Sequence, residues 1–115
     1  MPDSCLFCGI ARREIPAALV DQGDDWVAFR DINPQAPTHI LVIPKRHLPS
    51  LDQANEGDAA LLGKLLLAGA RIAAAEGVAA SGYRTVINTN ADAGQTVFHV
   101  HLHLLGGRHM AWPPG

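Results

Sequence analysis

The chain has 115 residues, 48% hydrophobic and 17% charged, which suits one globular domain that buries a core without cross-links and excludes a disordered chain. A net charge of −2 and a pI near 6.3 exclude the basic field that nucleic-acid binders use, while leaving room for a small anionic ligand. With no run near the roughly 20 apolar residues that span a bilayer, no secretory leader pattern in Met1-Pro2-Asp3-Ser4 and only two cysteines, the expected location is cytoplasmic, with no membrane and no nucleic-acid partner.

Cys5 to Glu14 reads as a short helix ended by Ile15-Pro16, because proline disfavours a helical residue before it. Ala18–Gln22 and Asp25–Arg30 flank Gly23-Asp24 and read as a hairpin. A turn-rich connection with two prolines, Asp31 to Pro37, leads to His39-Ile40-Leu41-Val42-Ile43. That run is apolar on both faces and reads as a central strand closed by Pro44. A capping region at Asn55–Asp58 precedes an apolar stripe at Leu62, Leu65, Leu66, Gly69, Ile72 and Ala73, which predicts a helix to about Glu76. Tyr83–Asn88 is expected as a strand, Asn90–Gly94 as a polar turn and Val97–Leu105 as the last strand, ended by Gly106-Gly107. Short connections everywhere except the long helical one favour an α+β fold with an antiparallel sheet.

The last strand carries the chemistry. In His99-Val100-His101-Leu102-His103-Leu104-Leu105, alternation puts His99, His101 and His103 on one face and Val100, Leu102 and Leu104 on the other, against the long helix. Successive imidazoles then stand about 6.6 Å apart along the strand. Imidazole exchanges protons near pH 7, so a neutral ring can attack phosphorus while a neighbour binds the phosphate or protonates the leaving group. Gly94-Gln95-Thr96, just before, offers backbone N–H groups and a hydroxyl to an anion. The rival readings are a catalytic metal site built on the three strand histidines and a merely solvated strand face.

These residues resemble the signature of the histidine triad (HIT) family, His-φ-His-φ-His-φ-φ with φ apolar, complete here from His99 to Leu105. The likeness extends to the Hint branch of purine nucleoside phosphoramidases through Phe29–Lys45, Gly94–Phe98 and the ending Gly106–Gly115. It implies a single domain over residues 1–115: a five-stranded antiparallel sheet, one long helix and a short N-terminal helix, the sheet continued across a homodimer. It implies a purine nucleoside 5′-phosphoramidate as substrate, aminoacyl-adenylates included, and a covalent nucleotidyl intermediate on His101. By the same resemblance His103 contacts the phosphate or the leaving group, His39 belongs to a proton relay, and His99 completes the catalytic histidines. Asp31 would accept hydrogen bonds from the ribose, with Phe29 and Ile32 beside the base. Asn88, Gly94, Gln95, Thr96 and Val97 would hold the phosphate region, and Trp112 would reach the partner's site. Thr96 departs from the serine usual in animal members; it keeps the hydroxyl with fewer rotamers.

Cys5 and Cys8 also depart from that pattern. Their spacing suits zinc but fills half of a tetrahedral site; a bare dithiol and a redox pair are the other readings. Some HIT relatives and the related galactose-1-phosphate uridylyltransferases complete such a site with two histidines, which implies His47 and His99 here. Such a zinc would be structural, with no metal required for catalysis. Taken alone, His39, His47 and Asp31 also suit ordinary turn roles. A nucleotide-binding adaptor is the remaining alternative to an enzyme.

Overall fold

A computed structural model describes residues 4–115; the leader reading of Met1-Pro2-Asp3 therefore falls outside the described residues. The elements are α1 (Leu6–Ala11), β1 (Leu19–Gln22), β2 (Trp26–Arg30), β3 (Thr38–Pro44), α2 (Ala59–Ala75), β4 (Tyr83–Val86) and β5 (Leu102–Gly106). The five strands form one sheet in the order β1-β2-β3-β5-β4, with every pair antiparallel. This is the α+β architecture expected from the short connections. No helix among the described residues is long and apolar enough to cross a membrane.

The sheet has a helix on each face, and its strands alternate accordingly. Ala28, Ile40, Val42, Leu102 and Leu104 pack against Leu65, Ala68, Ile72 and Ala73 of α2. Val27, Phe29, Leu41 and Ile43 point the other way, to Phe7 and Ile10 of α1. The middle strand β3 is buried throughout, as its two apolar faces predict. The helix α2 begins where expected, after a capped turn at Glu56–Asp58 in which the Asn55 side chain accepts from the Gly57 N–H and Asp58 Oδ2 accepts from the Asn55 N–H.

Three boundaries differ from expectation. The helix α1 stops at Ala11, not Glu14, because Arg13 takes a left-handed φ of 62°. On α2 the buried stripe is Leu65, Ala68, Gly69, Ile72 and Ala73, while Leu66 is 49% exposed. Positions 65, 68, 69 and 72 lie on one face of a 3.6-residue helix, and position 66 is turned about 100° away. The last strand begins at Leu102, not Val97, and β4 ends at Val86, not Asn88. The β3–β5 ladder runs from Thr38↔Gly106 to Val42↔Leu102. Beyond it the chain peels towards the 47–50 segment, where the Val100 N–H bonds the Leu48 carbonyl at 2.7 Å. Pro44 could donate nothing to a longer ladder.

Candidate active site

A cavity of about 460 Å³ opens on the α1 face of the sheet. His101 and His103 line it, with Phe7 of α1, Phe29 and Asp31 at the end of β2, and Thr96. His101 is the residue before β5 and His103 its second residue, so pleating sends both rings to this side while Leu102 and Leu104 enter the α2 core. The two rings stand 5.0 Å apart, centroid to centroid.

Hydrogen bonds assign the imidazole tautomers. His101 Nδ1 lies 2.8 Å from the His99 carbonyl oxygen, which only accepts, so Nδ1 carries the proton. The neutral ring therefore keeps the lone pair on Nε2. His39 receives the Gln35 N–H on Nδ1 at 3.0 Å, so its proton sits on Nε2. That Nε2–H donates to His103 Nδ1 at 2.9 Å, which leaves His103 Nε2 as an N–H. His103 Nε2 is buried and, among the described residues, has no hydrogen-bond partner. A buried donor without an acceptor is costly, and an anion in the cavity would satisfy it. Asp31 Oδ2 stands 3.4 Å from His39 Nε2, and its Oδ1 accepts from the Asn33 N–H.

Burial keeps these rings neutral. Desolvation lowers the pKa of His101, against the opposing pull of its bond to the His99 carbonyl and of the Asp31 charge. His103 is pushed down to about 4, first by desolvation and then by His101 and His39. His39 is lowered by desolvation, with Asp31 pulling upward. The arrangement sets a neutral ring with a lone pair on Nε2 beside a neutral ring with an N–H donor, a pairing that suits an anionic ligand.

His99 has a different setting. It is fully buried, and its Nδ1 lies 3.4 Å from Cys5 Sγ and 3.5 Å from Cys8 Sγ. His47 Nδ1 stands 3.2 Å from Cys8 Sγ. One donor atom from each of Cys5, Cys8, His47 and His99 falls within 4.8 Å of every other. Tetrahedral zinc holds neighbouring sulfur and nitrogen ligands about 3.5 Å apart, which fits these separations. His99 Nε2–H donates to the Pro44 carbonyl at 2.7 Å, which fixes Nδ1 as the lone pair and orients it as in metal-ligating histidines. Desolvation, the largest cause, also lowers the His99 pKa, favouring that neutral ring.

The three strand histidines thus emerge towards α1 together, but their nitrogens do not converge, and no ligand group among the described residues contains all three. Asp31, His39 and His103 do form a group, with one ligand atom from each within 4.8 Å of the others. The His99 ring does not line the cavity, and its carbonyl oxygen accepts from the His101 Nδ1–H. Ile32 and Val97 line the cavity. Asn88 and Gly94 do not line it. Gly94 takes φ 86° to close the turn after Ala91–Ala93, a conformation that suits glycine.

The Gln95 side chain is spent inside the protein. Its Nε2 donates to the Pro49 and Val97 carbonyls, and its Oε1 accepts from the Asn90 N–H. Gln95 therefore holds the loop that presents Thr96, and its side chain is not available to phosphate. Trp112 is 81% exposed beneath the Arg84 guanidinium, away from this chain's own cavity. Sequence reasoning missed Phe7, whose ring meets His101 edge-on at 5.0 Å and Phe29 at 5.6 Å. Its only signal was a place between two cysteines on a short helix.

An α+β sheet with one helix per face, and a cavity lined by histidines whose tautomers are fixed by hydrogen bonds, define a histidine-based class of site. A HIT domain model matches residues 12–110, and the chain belongs to the HIT family. It is 48% identical to the purine nucleoside phosphoramidase of Escherichia coli K12 over 108 residues, covering 94% of this chain and 91% of that protein. It is 54% identical to an uncharacterized HIT-like protein of Synechocystis over the whole of both chains. Among solved structures, a HIT family hydrolase from Legionella pneumophila superposes with a TM-score of 0.96 at 53% identity, covering 97% of this chain and 100% of that one.

Proposed function

We propose that this single domain is a nucleotide hydrolase that cleaves the P–N bond of purine nucleoside 5′-phosphoramidates, aminoacyl-adenylates being a further candidate substrate. The observation that carries the reading is the pair of tautomers at the cavity: a lone pair on His101 Nε2 beside an unpartnered N–H on His103. The likeness to a purine nucleoside phosphoramidase supports the choice of bond.

In the proposed reaction the phosphoramidate lies against the His103 Nε2–H, with its ribose hydroxyls on Asp31 and its base between Phe29 and Ile32. The negative phosphate draws one proton onto the His39–His103 pair, which Asp31 also favours. His101 Nε2 attacks the α-phosphorus; the P–N bond breaks, and the departing nitrogen takes that proton and leaves as a neutral amine. The nucleotidyl-imidazole is cationic, and the His99 carbonyl holds its Nδ1–H. Water then attacks phosphorus and gives a proton back to the pair, and the Nε2–P bond breaks to release the nucleoside monophosphate and the neutral ring. Thr96 and the main chain around it would hold the phosphate oxygens.

Cys5, Cys8, His47 and His99 would hold a structural zinc ion. A set with four protein donors leaves no open position, so zinc there would organise structure and take no part in a chemical step. A homodimer, with Trp112 reaching the partner's cavity, and a cytoplasmic location complete the proposal. Turnover of an adenosine 5′-phosphoramidate tests the activity: it should vanish in folded His101→Ala, while acid-quenched wild-type protein should carry a nucleotidyl adduct on His101. Full turnover by His101→Ala would refute the mechanism.

A further inference from the structure

The cysteine–histidine cluster and the cavity share residues, and the sharing has a direction. His99 places its ring among the sulfurs and its carbonyl under the His101 Nδ1–H. The ring is further tied to the end of β3 through the Pro44 carbonyl. Phe7 lies between Cys5 and Cys8 in sequence, meets the His99 ring at 6.0 Å and the His101 ring at 5.0 Å, and lines the cavity.

The cluster also draws on three separate pieces of chain. Cys5 and Cys8 belong to the start of α1, where Cys5 Sγ accepts from the Cys8 N–H. His47 follows β3, and His99 precedes β5. The 47–50 and 95–100 segments are otherwise joined by the Val100–Leu48 main-chain bond and by Gln95 to the Pro49 carbonyl. By contrast, α1 is six residues long, too short to persist without tertiary contacts. Its hold on the sheet is a small apolar cluster plus the two cysteines.

We infer that metal loading at Cys5–Cys8–His47–His99 controls nucleotide affinity, by clamping α1 as the cavity wall and by holding His99 as the positioning residue for His101. This rests on the zinc reading above and adds to it a coupling to the nucleotide site. An ion on the four ligands joins α1, the 47–50 segment and the 95–101 segment at one point. Without it the Phe7 wall can shift and the His99 ring keeps only its Pro44 bond, so a smaller fraction of molecules holds the binding geometry and apparent affinity falls by that fraction.

The test uses the full chain, loaded with zinc or stripped by chelation, with zinc per chain measured first. Binding of adenosine monophosphate is then followed by calorimetry, and the His101 tautomer by long-range nitrogen–proton NMR. Loaded protein should hold one zinc per chain and show His101 as a single Nδ1–H tautomer. Stripping, or His47→Ala, should weaken binding about tenfold and mix the tautomers. Phe7→Leu should keep the zinc and the tautomer yet still weaken binding, separating the wall from the carbonyl. One zinc per chain with unchanged affinity and tautomer on stripping would overturn the coupling while leaving the zinc site standing. Absence of zinc after loading would overturn both.

Discussion

His99 and His103 lie four residues apart on the same side of the chain, and they teach how one side chain acquires opposite tasks. Both are desolvated, and both have their pKa values lowered chiefly for that reason. At His99 both ring nitrogens are engaged, one by the Pro44 carbonyl and one by the cysteine sulfurs. At His103 one nitrogen is engaged by His39 and the other is buried with no acceptor among the described residues. The first region is closed and suits an ion that stays; the second is incomplete and suits an anion that comes and goes. His101 stands between them, with Nδ1 on the closed side and Nε2 towards the open one. Role follows from which nitrogen is occupied, and by what.

The comparison breaks most visibly at His101. Replacing it by alanine should lower turnover about 10⁴-fold or more, because a missing nucleophile is not offset by the remaining groups, while circular dichroism and melting stay close to wild type. Replacing His99 should instead cost the fold: His99→Ala empties a fully buried, doubly bonded position, and about 2–3 kcal/mol of stability should be lost in urea titration along with metal retention. A His99→Ala protein as stable as wild type would erase the distinction between the two regions.

Asp31→Asn sharpens the open side. It should raise KM and lower kcat, each about tenfold, because it removes the charge on which the proposed ribose contacts and the proton on the His39–His103 pair both depend.

The pH dependence of stability reads the same region. His103 has a folded pKa of about 4 against an ordinary 6.5, so the unfolded chain binds the proton more readily. Its contribution is therefore full above about pH 6.5 and is lost as pH falls from there towards 4, with a slope no steeper than about 1.4 kcal/mol per pH unit. Urea midpoints at pH 7.5, 6 and 5 should fall in that order, and less so in His103→Gln.

The smallest effect should come from a site that touches neither region. At Gly63, inside α2, an added Cβ meets nothing within 4 Å, so Gly63→Ala should raise stability by about 0.5–1 kcal/mol and leave turnover unchanged.

Much of this arrangement was legible locally. Alternation in His99–Leu105 correctly divided the imidazoles from the α2-facing Val100, Leu102 and Leu104, because pleating depends only on neighbours in the chain. The buried central strand and the capped long helix were readable for the same reason. The strand's starting point was not, because it depends on where the β3 partner ends and on the pull of Leu48 on Val100. Leu66 was assigned to the core because it is apolar, and only the position of α2 over the sheet shows which arc of the helix faces inward. Gly94-Gln95-Thr96 read as a cradle of backbone N–H groups and a hydroxyl, yet the Gln95 N–H bonds the Asn90 carbonyl and its amide is used on partners 46 and five residues away.

The residues alone determined that three alternating histidines would emerge on one side of the chain that leads into the last strand and that two cysteines would stand one helical turn apart, since both follow from backbone repeat. Tertiary structure alone decided that His99 joins the sulfurs, that His39 hands its proton to His103 and that Phe7 walls the cavity. Those outcomes rest on contacts across as many as 94 positions of chain, and hydrogen-bond direction, hence tautomer, exists only once the partners have met.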